Sequence, residues 1–211
     1  MEKYISKKEK ASYGFAAVGR YMVAGISQSY LMYFFTDILI IPSAFVMMLM
    51  IVARAWDALN DPMMGVIVDR TSTKYGKMRP YVLIGSFLML VTTIVLFMPL
   101  TGAPTMFKMI FAAVSYIIFG MAYTLTDVPA MGLMSVATPN SDERASLLSF
   151  YVTVGSVGSL LPVGLLTIFR PFIPEKYVYF AMSIFVGIIT SAAYLTLFKN
   201  SKERFSTHTE K

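Results

Sequence analysis

The sequence predicts an all-α polytopic membrane protein made of six transmembrane helices. Apolar residues make up 56% of the 211-residue chain, and only 14% of its residues are charged, compared with about 25% in soluble domains. Long apolar runs alternate with short segments rich in charge, glycine or proline. Cysteine is absent, which excludes a disulfide framework and a cysteine-ligated metal site.

Each apolar run is long enough to cross a bilayer, which takes about 20 residues. Charged segments precede helices I, III and V, and turns that contain proline precede helices II, IV and VI. Asn140 with Glu143 predicts an N-cap and a capping box for helix V. After an N-terminal segment at 1–12, the spans of the helix bundle at 13–198 are Tyr13–Phe35, Ser43–Val68, Tyr81–Pro99, Phe107–Pro129, Ala145–Phe169 and Tyr177–Phe198, and a polar tail follows at 199–211.

Basic residues are distributed unevenly between the two sides of this bundle. If the N-terminus lies in the cytoplasm, the outer side holds only Lys108, Arg170 and Lys176, and Arg20 and Arg54 lie within spans. All other basic residues then face the cytoplasm, as the positive-inside rule requires. We therefore expect a multi-pass protein of the inner cell membrane with both termini in the cytoplasm. Because its basic residues lie in short loops beside the membrane, the expected partner is the lipid bilayer and not nucleic acid.

Three carboxylates fall within predicted spans, Asp57 and Asp61 in helix II and Asp127 near the inner end of helix IV. A carboxylate at the membrane centre costs about 2.5–3.5 kcal/mol on insertion scales, so such groups mark functional sites. Helical spacing places Asp57, Asn60 and Asp61 in one polar sector of helix II, and Thr124 one turn before Asp127. The sequence thus predicts one shared polar site between helices II and IV.

These aspartates, together with Arg20 and Arg54, leave the membrane interior with one more negative than positive charge. An unpaired buried charge is unfavourable, so we expect the site to take up one positive charge. A proton would do this, and so would Na⁺ or Li⁺, since carboxylate, amide and hydroxyl oxygens are hard ligands. No cofactor and no metal beyond an alkali cation is expected. The alternative is that the charges only join helices, Arg54 to Asp57 or Asp61 and Arg20 to Asp127.

The same residues carry a family signature. The run VARAWDALNDPMMG at 52–65 resembles helix II of the glycoside–pentoside–hexuronide cation symporters, which belong to the major facilitator superfamily. Similar family segments follow in the same order, with DR and KYGKMRP within 69–80, YTLTDVP at 123–129 and DER at 142–144. The resemblance covers nearly the whole chain. It implies the N-terminal half of a major facilitator fold, with helices I–III and IV–VI as two inverted three-helix repeats.

The resemblance implies a complete cation site. The positions of this chain that match the family's cation ligands are Asp57, Asn60, Asp61, Thr124 and Asp127, and all five side chains are present. This set agrees with the site predicted from the charges alone.

The sugar side departs from the galactoside transporters of that family. They have a Lys-Asp pair in helix I where this chain has Arg20-Tyr21, and a tryptophan in helix IV where it has Met131. Val152 replaces an arginine in helix V, so only Asp127 remains of those sugar-binding side chains. We expect a different sugar or a weakened sugar site. The candidate substrate-binding residues are Arg20, Tyr21, Tyr123, Asp127 and Met131.

The loop after helix II resembles the inner loop of the superfamily. Its Asp69, Arg70 and Lys77, with Gly65 just before it, are predicted to form a charge latch that opens and closes as the carrier rocks. Arg54 is grouped with these residues as a structural charge. A simple positive-inside anchor is a compatible interpretation.

The resulting hypothesis is the cation-binding half of a cation-coupled symporter for a sugar or glycoside, working by alternating access. Its site would lie between two six-helix halves, so a second half, from the same gene product or a second copy, is an expected partner. The sequence leaves open a fragment, a half-size protein that dimerises, and a non-transporting remnant that acts as a dimerisation or regulatory module. No enzyme is predicted, because HExxH, GxSxG and P-loop patterns are absent and the one histidine, His208, lies in the tail.

Overall fold

The computed structural model describes residues 4–205, which form six long helices. One π-helical turn, Phe34–Ile38, continues the first of them. The all-α, six-helix prediction is confirmed. Residues 1–3 and the tail residues 206–211, including His208, lie outside the described part of the chain. The helices are Lys7–Tyr33 (α1), Ser43–Arg70 (α2), Arg79–Leu96 (α3), Thr105–Ala137 (α4), Ser141–Phe169 (α5) and Glu175–Asn200 (α6).

Helix α4 continues to Ala137, well past the end predicted at Pro129. Pro129 lies inside α4, as Pro62 lies inside α2 and Pro162 inside α5. Proline is tolerated within membrane helices because neighbouring groups satisfy the carbonyls that it frees. The predicted helix end at Pro129 was therefore wrong, and Asp127 lies within a continuous helix rather than near its inner end.

Five helices, α2 to α6, are long and apolar enough to cross a membrane. Helix α1 is the less apolar exception among the described helices, because Arg20, Ser27 and Gln28 lie in its middle. It packs closely against both α5 and α6, and its apolar residues Met22 and Val23 are buried. Helix α1 is thus an interior helix whose polar residues face protein or the cavity described below.

The packing of the helices repeats itself. Helix α1 packs on α5 and α6, and α4 packs in the corresponding way on α2 and α3, while α3 packs on α6. Exchanging α1–α3 with α4–α6 leaves the same pairs of helices packed together, although α1 and α5 pack more extensively than α4 and α2. Because successive helices alternate in direction, the second three-helix unit is inverted relative to the first, as in transporters built from inverted repeats.

Buried apolar residues form two clusters at different levels of the bundle. A terminal cluster includes Tyr13 at the start of α1 and Ala130 on α4. A distal cluster includes Ile26 on α1 and Ala122 on α4. Arg20 and Asp127 fall between these levels, so the charged residues occupy a layer in the middle of the bundle, far along the helices from water at either end.

At one end of the bundle the rings of Tyr4 and Phe205 meet, with centroids 5.6 Å apart. Polar contacts join several segments of the chain at this end. We call this end the terminal face and the segment 201–205, which crosses it, the strap. The Glu203 carboxylate of the strap accepts three backbone N–H groups at the start of α3, at 2.8, 2.9 and 3.0 Å. It therefore caps α3, whose own sequence supplies no capping side chain. The three donors are Lys77, Met78 and Arg79.

Arg204 ties the strap to α1 and α4. Its Nη1 and Nη2 donate to the two oxygens of Glu9 at 2.9 and 2.7 Å, and Glu9 is buried. The Lys202 N–H donates to Glu9 Oε1 at 3.3 Å, and the N–H groups of Arg204 and Phe205 donate to the Val136 carbonyl. Hydrogen bonding to Glu9 raises the pKa of Arg204, so the guanidinium stays charged.

The cap of α5 is partly as predicted. Asn140 Oδ1 accepts the N–H groups of Asp142 at 2.9 Å and Glu143 at 3.4 Å, so the N-cap prediction is confirmed. The capping-box prediction was wrong, because the Glu143 carboxylate does not return to the Asn140 N–H. It accepts the Thr138 hydroxyl at 2.7 Å and the N–H of Ile5 at 3.1 Å instead. The chain before α1 thus supplies a competing donor.

Candidate functional site: a charged cavity between three helices

A cavity of about 550 Å³ opens between α1, α2 and α4 at the level of the charged layer. Its lining includes every charged residue that the sequence places well within spans. Helical spacing explains the arrangement, because positions 54, 57 and 61 follow one stripe of α2 and positions 120, 124 and 127 follow one stripe of α4. The charged lining residues are Arg20, Arg54, Asp57, Asp61 and Asp127.

An ion pair joins α1 to α4 at one side of the cavity. Arg20 Nη2 donates to Asp127 Oδ2 at 2.9 Å, and Arg20 Nε contacts Asp127 Oδ1. The guanidinium carbon lies 5.2 Å from the ring centroid of Tyr21 and 5.9 Å from that of Tyr123. Two aromatic rings therefore flank the arginine, within the range of cation–π attraction.

The other two carboxylates lie on α2, facing α4. The Thr124 hydroxyl donates to Asp61 Oδ1 at 2.8 Å. Asp57 lies against Gly120, where an added Cβ would come within 3.2 Å of Asp57 Oδ1. Among residues 4–205, neither aspartate forms an ion pair, and neither does Arg54 on the same cavity wall. Helix–helix pairing by charge therefore accounts for Arg20 and Asp127 but not for Arg54, Asp57 and Asp61.

The predicted cation ligands are only partly assembled. Asp57, Asp61, Thr124 and Asp127 line the cavity, but Asn60 does not. The Asn60 Nδ2 is buried and has no hydrogen-bond partner among the described residues. Within the described chain, no three Asp, Glu or His side chains converge as a metal-binding cluster. The described site therefore consists of two free carboxylates with a hydroxyl, beside a third carboxylate that an arginine holds.

The predicted sugar ligands are also divided. Arg20, Tyr123 and Asp127 line the cavity, whereas Tyr21 and Met131 do not. Both of these pack with the terminal cluster. The Tyr21 ring lies over Gly155 of α5 and Met131 lies among apolar side chains, so neither presents a group to the cavity in this structure.

The predicted latch residues lie on the terminal face. Asp69 and Arg70 are exposed, and within the described residues no carboxylate pairs with Arg70 or Lys77. An added Cβ at Gly65 would meet nothing within 4 Å. The charge that does engage this loop is Glu203, which sequence reasoning missed because it is far away in the chain and no local pattern links it to α3.

Sequence reasoning also missed several uncharged residues of the cavity. Ser27 and Gln28 on α1, Trp56 on α2 and Tyr116 on α4 line it. The signal was present for α1, because positions 20, 24, 27 and 28 follow the i, i+4, i+7 and i+8 spacing of one helix face. Trp56, the single tryptophan, adjoins Asp57 in sequence.

Comparisons with known proteins match most of this chain to sugar transport proteins and symporters. The family model for MFS/sugar transport proteins matches residues 12–211. A protein of Bacillus subtilis (strain 168) named as an uncharacterized symporter, YjmB, is 34% identical over 208 residues, which cover 96% of this chain and 45% of that protein. The inner membrane symporter YicJ of Escherichia coli (strain K12) is 34% identical over 161 residues, covering 74% of this chain and 34% of YicJ.

An isoprimeverose transporter of Lactiplantibacillus pentosus is 28% identical over 207 residues, covering 94% of this chain and 42% of the transporter. The chain thus spans less than half the length of each of these three relatives.

Proposed function

The chain belongs to the family of MFS sugar transport proteins, and on that basis we propose that it is the cation-binding half of a symporter for a sugar or glycoside. The coupling ion would be Na⁺, Li⁺ or H⁺. Cation and sugar would cross together by alternating access, as the two halves of the carrier rock around a central site. The chain is a multi-pass membrane protein of a transporter family, not an enzyme.

The observation that carries this proposal is the charge of one cavity. Three carboxylates and two guanidinium groups line it, and two of the carboxylates have no cationic partner among residues 4–205. Closing this cavity to water is unfavourable unless one positive charge enters to balance the extra negative charge. A symported cation supplies that charge, and it makes closure of the carrier depend on cation binding.

We assign the cation to the contact between α2 and α4. Asp57 and Asp61 supply anionic oxygens there, and the Thr124 hydroxyl already contacts Asp61. Hard oxygen ligands of this kind suit Na⁺ and Li⁺, and either carboxylate can bind a proton instead. Asp127 and Asn60 complete the five-residue set only after Arg20 releases Asp127 and the Asn60 amide turns towards the cavity.

We assign the sugar to the wall formed by α1 and α4. Arg20, Tyr123 and Asp127 offer charged donors, a stacking ring and an acceptor, and the Gln28 amide adds a donor and an acceptor. The isoprimeverose transporter among the relatives supports a glycoside as the substrate class. Because the two ligands would share one cavity, each is expected to raise the affinity for the other.

A second six-helix half is the proposed partner of α2 and α5. Only 17% of the most apolar stretch of each of these helices is buried within the bundle, compared with 50% for α6. Large side chains such as Met48 and Ile51 on α2 and Leu160 on α5 are exposed. A second half would cover these faces and close the cavity, while lipid of the inner membrane would cover α3 and α6, with both termini in the cytoplasm.

Trp56 gives a direct test, because it is the single tryptophan and lines the cavity beside Asp57. The purified protein in detergent is titrated with NaCl, LiCl or choline chloride, and by acidification at constant salt, while tryptophan emission is recorded. We expect a saturable change with at least one of Na⁺, Li⁺ and H⁺, and none with choline. Asp57→Asn should abolish the change. Asp37→Asn, which alters an exposed carboxylate outside the cavity, is the matched control and should titrate like the unmodified protein.

The same titration separates the two functions. A Na⁺ response that persists in both Asp57→Asn and Asp61→Asn excludes the proposed cation site. The absence of any response to Na⁺, Li⁺ or acidification supports the other candidate, a non-transporting six-helix module that dimerises or regulates.

A further inference from the structure

Tyr21 has a position that the proposed sugar site does not explain. Its neighbour Arg20 lines the cavity, but Tyr21 does not, and its ring packs with the terminal cluster. The ring centroid nevertheless lies 5.2 Å from the Arg20 guanidinium. The ring therefore does not line the cavity, but it lies within contact range of a residue that does.

Gly155 on α5 provides the space for this ring. A Cβ at Gly155 would lie 2.5 Å from Tyr21 Cδ2 and 2.6 Å from Tyr21 Cε2, closer than carbon atoms approach without a clash. Gly158 on the same helix differs, because its Cβ would meet the backbone of Val18, with the carbonyl oxygen at 2.7 Å. A methyl group at Gly158 would push two helices apart, whereas a methyl group at Gly155 would displace one ring.

The displaced ring would change the surroundings of Arg20. The guanidinium is now held by Asp127 at 2.9 Å and flanked by Tyr21 and Tyr123 at 5.2 and 5.9 Å. Cation–π attraction acts only over the face of a ring at short range, so moving Tyr21 removes one of these restraints. Arg20 would then sample other rotamers and leave Asp127 more often.

We propose that Tyr21, seated on Gly155, is a positioning residue that holds Arg20 on Asp127 and so sets the geometry of the sugar wall from outside the cavity. The proposal rests on the proposed function, since the wall it orders is the one assigned to the sugar. It extends that function to two residues, neither of which lines the cavity.

Arginine modification measures the position of Arg20 without any sugar. Phenylglyoxal reacts with free guanidinium groups, and peptide mass spectrometry gives the labelled fraction of each arginine. Arg54 lines the same cavity, is exposed and forms no ion pair with a described residue, so it serves as the internal standard. We expect Gly155→Ala to raise the labelling rate of Arg20 relative to Arg54 about fivefold, the factor that one cation–π contact supports.

A double-mutant cycle tests whether the effect passes through the ring. Tyr21→Leu should raise Arg20 labelling to a similar extent, and Gly155→Ala should add nothing in that background. Tyr21→Phe keeps the ring and should label like the unmodified protein. Gly164→Ala is the matched control, because it adds the same methyl group to α5 at a position where no described atom lies within 4 Å, and it should leave the Arg20 to Arg54 ratio unchanged.

Three results would overturn the proposal: an unchanged ratio in Gly155→Ala, an unchanged ratio in Tyr21→Leu, or full multiplication of the two effects in the double variant. If Gly155→Ala does not accumulate in the membrane, Tyr21→Leu against Tyr21→Phe decides alone. The Trp56 response to NaCl is judged on the unmodified protein, in which Tyr21 and Gly155 are unchanged. Its loss in the unmodified protein counts against the cation site and not against the positioning of Arg20.

Discussion

Two arginine–carboxylate pairs connect α1 to distant parts of the chain, and they are built differently. In the Arg204–Glu9 pair both carboxylate oxygens accept an arginine N–H, a backbone N–H adds a third bond, and Glu9 is 1% exposed. In the Arg20–Asp127 pair Nη2 donates to Oδ2 and Nε contacts Oδ1, and among the described residues no backbone N–H adds a third bond. The two arginine side chains are similarly exposed, 25% for Arg204 and 19% for Arg20, so the pairs differ in the carboxylate, which is 18% exposed in Asp127.

The difference separates a pair that holds the fold from a pair that is available for a ligand. A buried carboxylate that accepts three hydrogen bonds loses much stability when its arginine is removed, and the pair rearranges slowly. A carboxylate that remains partly exposed at the edge of a cavity lets water or a polyhydroxyl ligand compete for its oxygens. The first pair should therefore respond to mutation in stability and the second in function.

The largest effect on stability is expected at the strap. Arg204→Ala leaves the buried Glu9 carboxylate with one backbone donor, and breaking such a pair costs about 3 kcal/mol. Thermal unfolding in detergent, followed by the loss of helical circular dichroism, should show a clearly lower midpoint. Arg170→Ala is the matched control, because its pair with Glu175 is long and exposed, and such pairs contribute less than about 0.5 kcal/mol. Equal shifts in the two variants would contradict the distinction.

A smaller effect on stability is expected at the cavity. Arg20→Ala removes the partner of Asp127, but water in the cavity can solvate that carboxylate, so the loss should be about 1–2 kcal/mol. Cation-dependent sugar uptake, measured on the carrier that we propose this chain to form with a second half, should nevertheless be lost. An Arg20→Ala protein with full uptake, or one less stable than Arg204→Ala, would reverse the assignment of the two pairs.

The smallest effect is expected at the cap of α3. Glu203→Gln keeps an acceptor but removes the negative charge from the start of the helix, which is a loss of about 0.3–1 kcal/mol. Hydrogen exchange should speed up at the amides of residues 77–79 and stay unchanged at Asp142 and Glu143, which Asn140 caps. If Glu203→Gln instead speeds exchange equally at all amides of the terminal face, the strap as a whole, and not the charge of Glu203, protects α3.

The helices were predictable from sequence because lipid imposes a length and a composition on each of them. The end of α4 was not, since Pro129 carries the same local signal whether a helix ends there or is supported by its neighbours. The stripe of charges on α2 followed from helical spacing. That Asp127 would pair with Arg20 while Asp57 and Asp61 remained free could not be decided, because this choice depends on how α1 and α2 are turned relative to α4.

The contacts of Tyr21 and Glu203 could not be predicted from the sequence either. From the sequence, Tyr21 was predicted to bind the sugar, and no role was predicted for Glu203. In the structure, Gly155 on α5 has no Cβ, which leaves space for the Tyr21 ring to pack there and away from the cavity. The strap crosses the terminal face and brings Glu203 to the start of α3. Both outcomes depend on contacts between residues far apart in the chain, which periodicity and local spacing do not contain.

The strap also has a consequence for biogenesis. Arg204 lies 195 residues after Glu9, so the bonds that close the terminal face form only after α6 has been synthesised. Until that moment the Glu9 carboxylate and the first amides of α3 depend on water, while their helices are already entering the bilayer. A nascent chain stalled before Ser201 would therefore hold inserted helices whose terminal face is still open, and the strap would close that face only after it has left the ribosome.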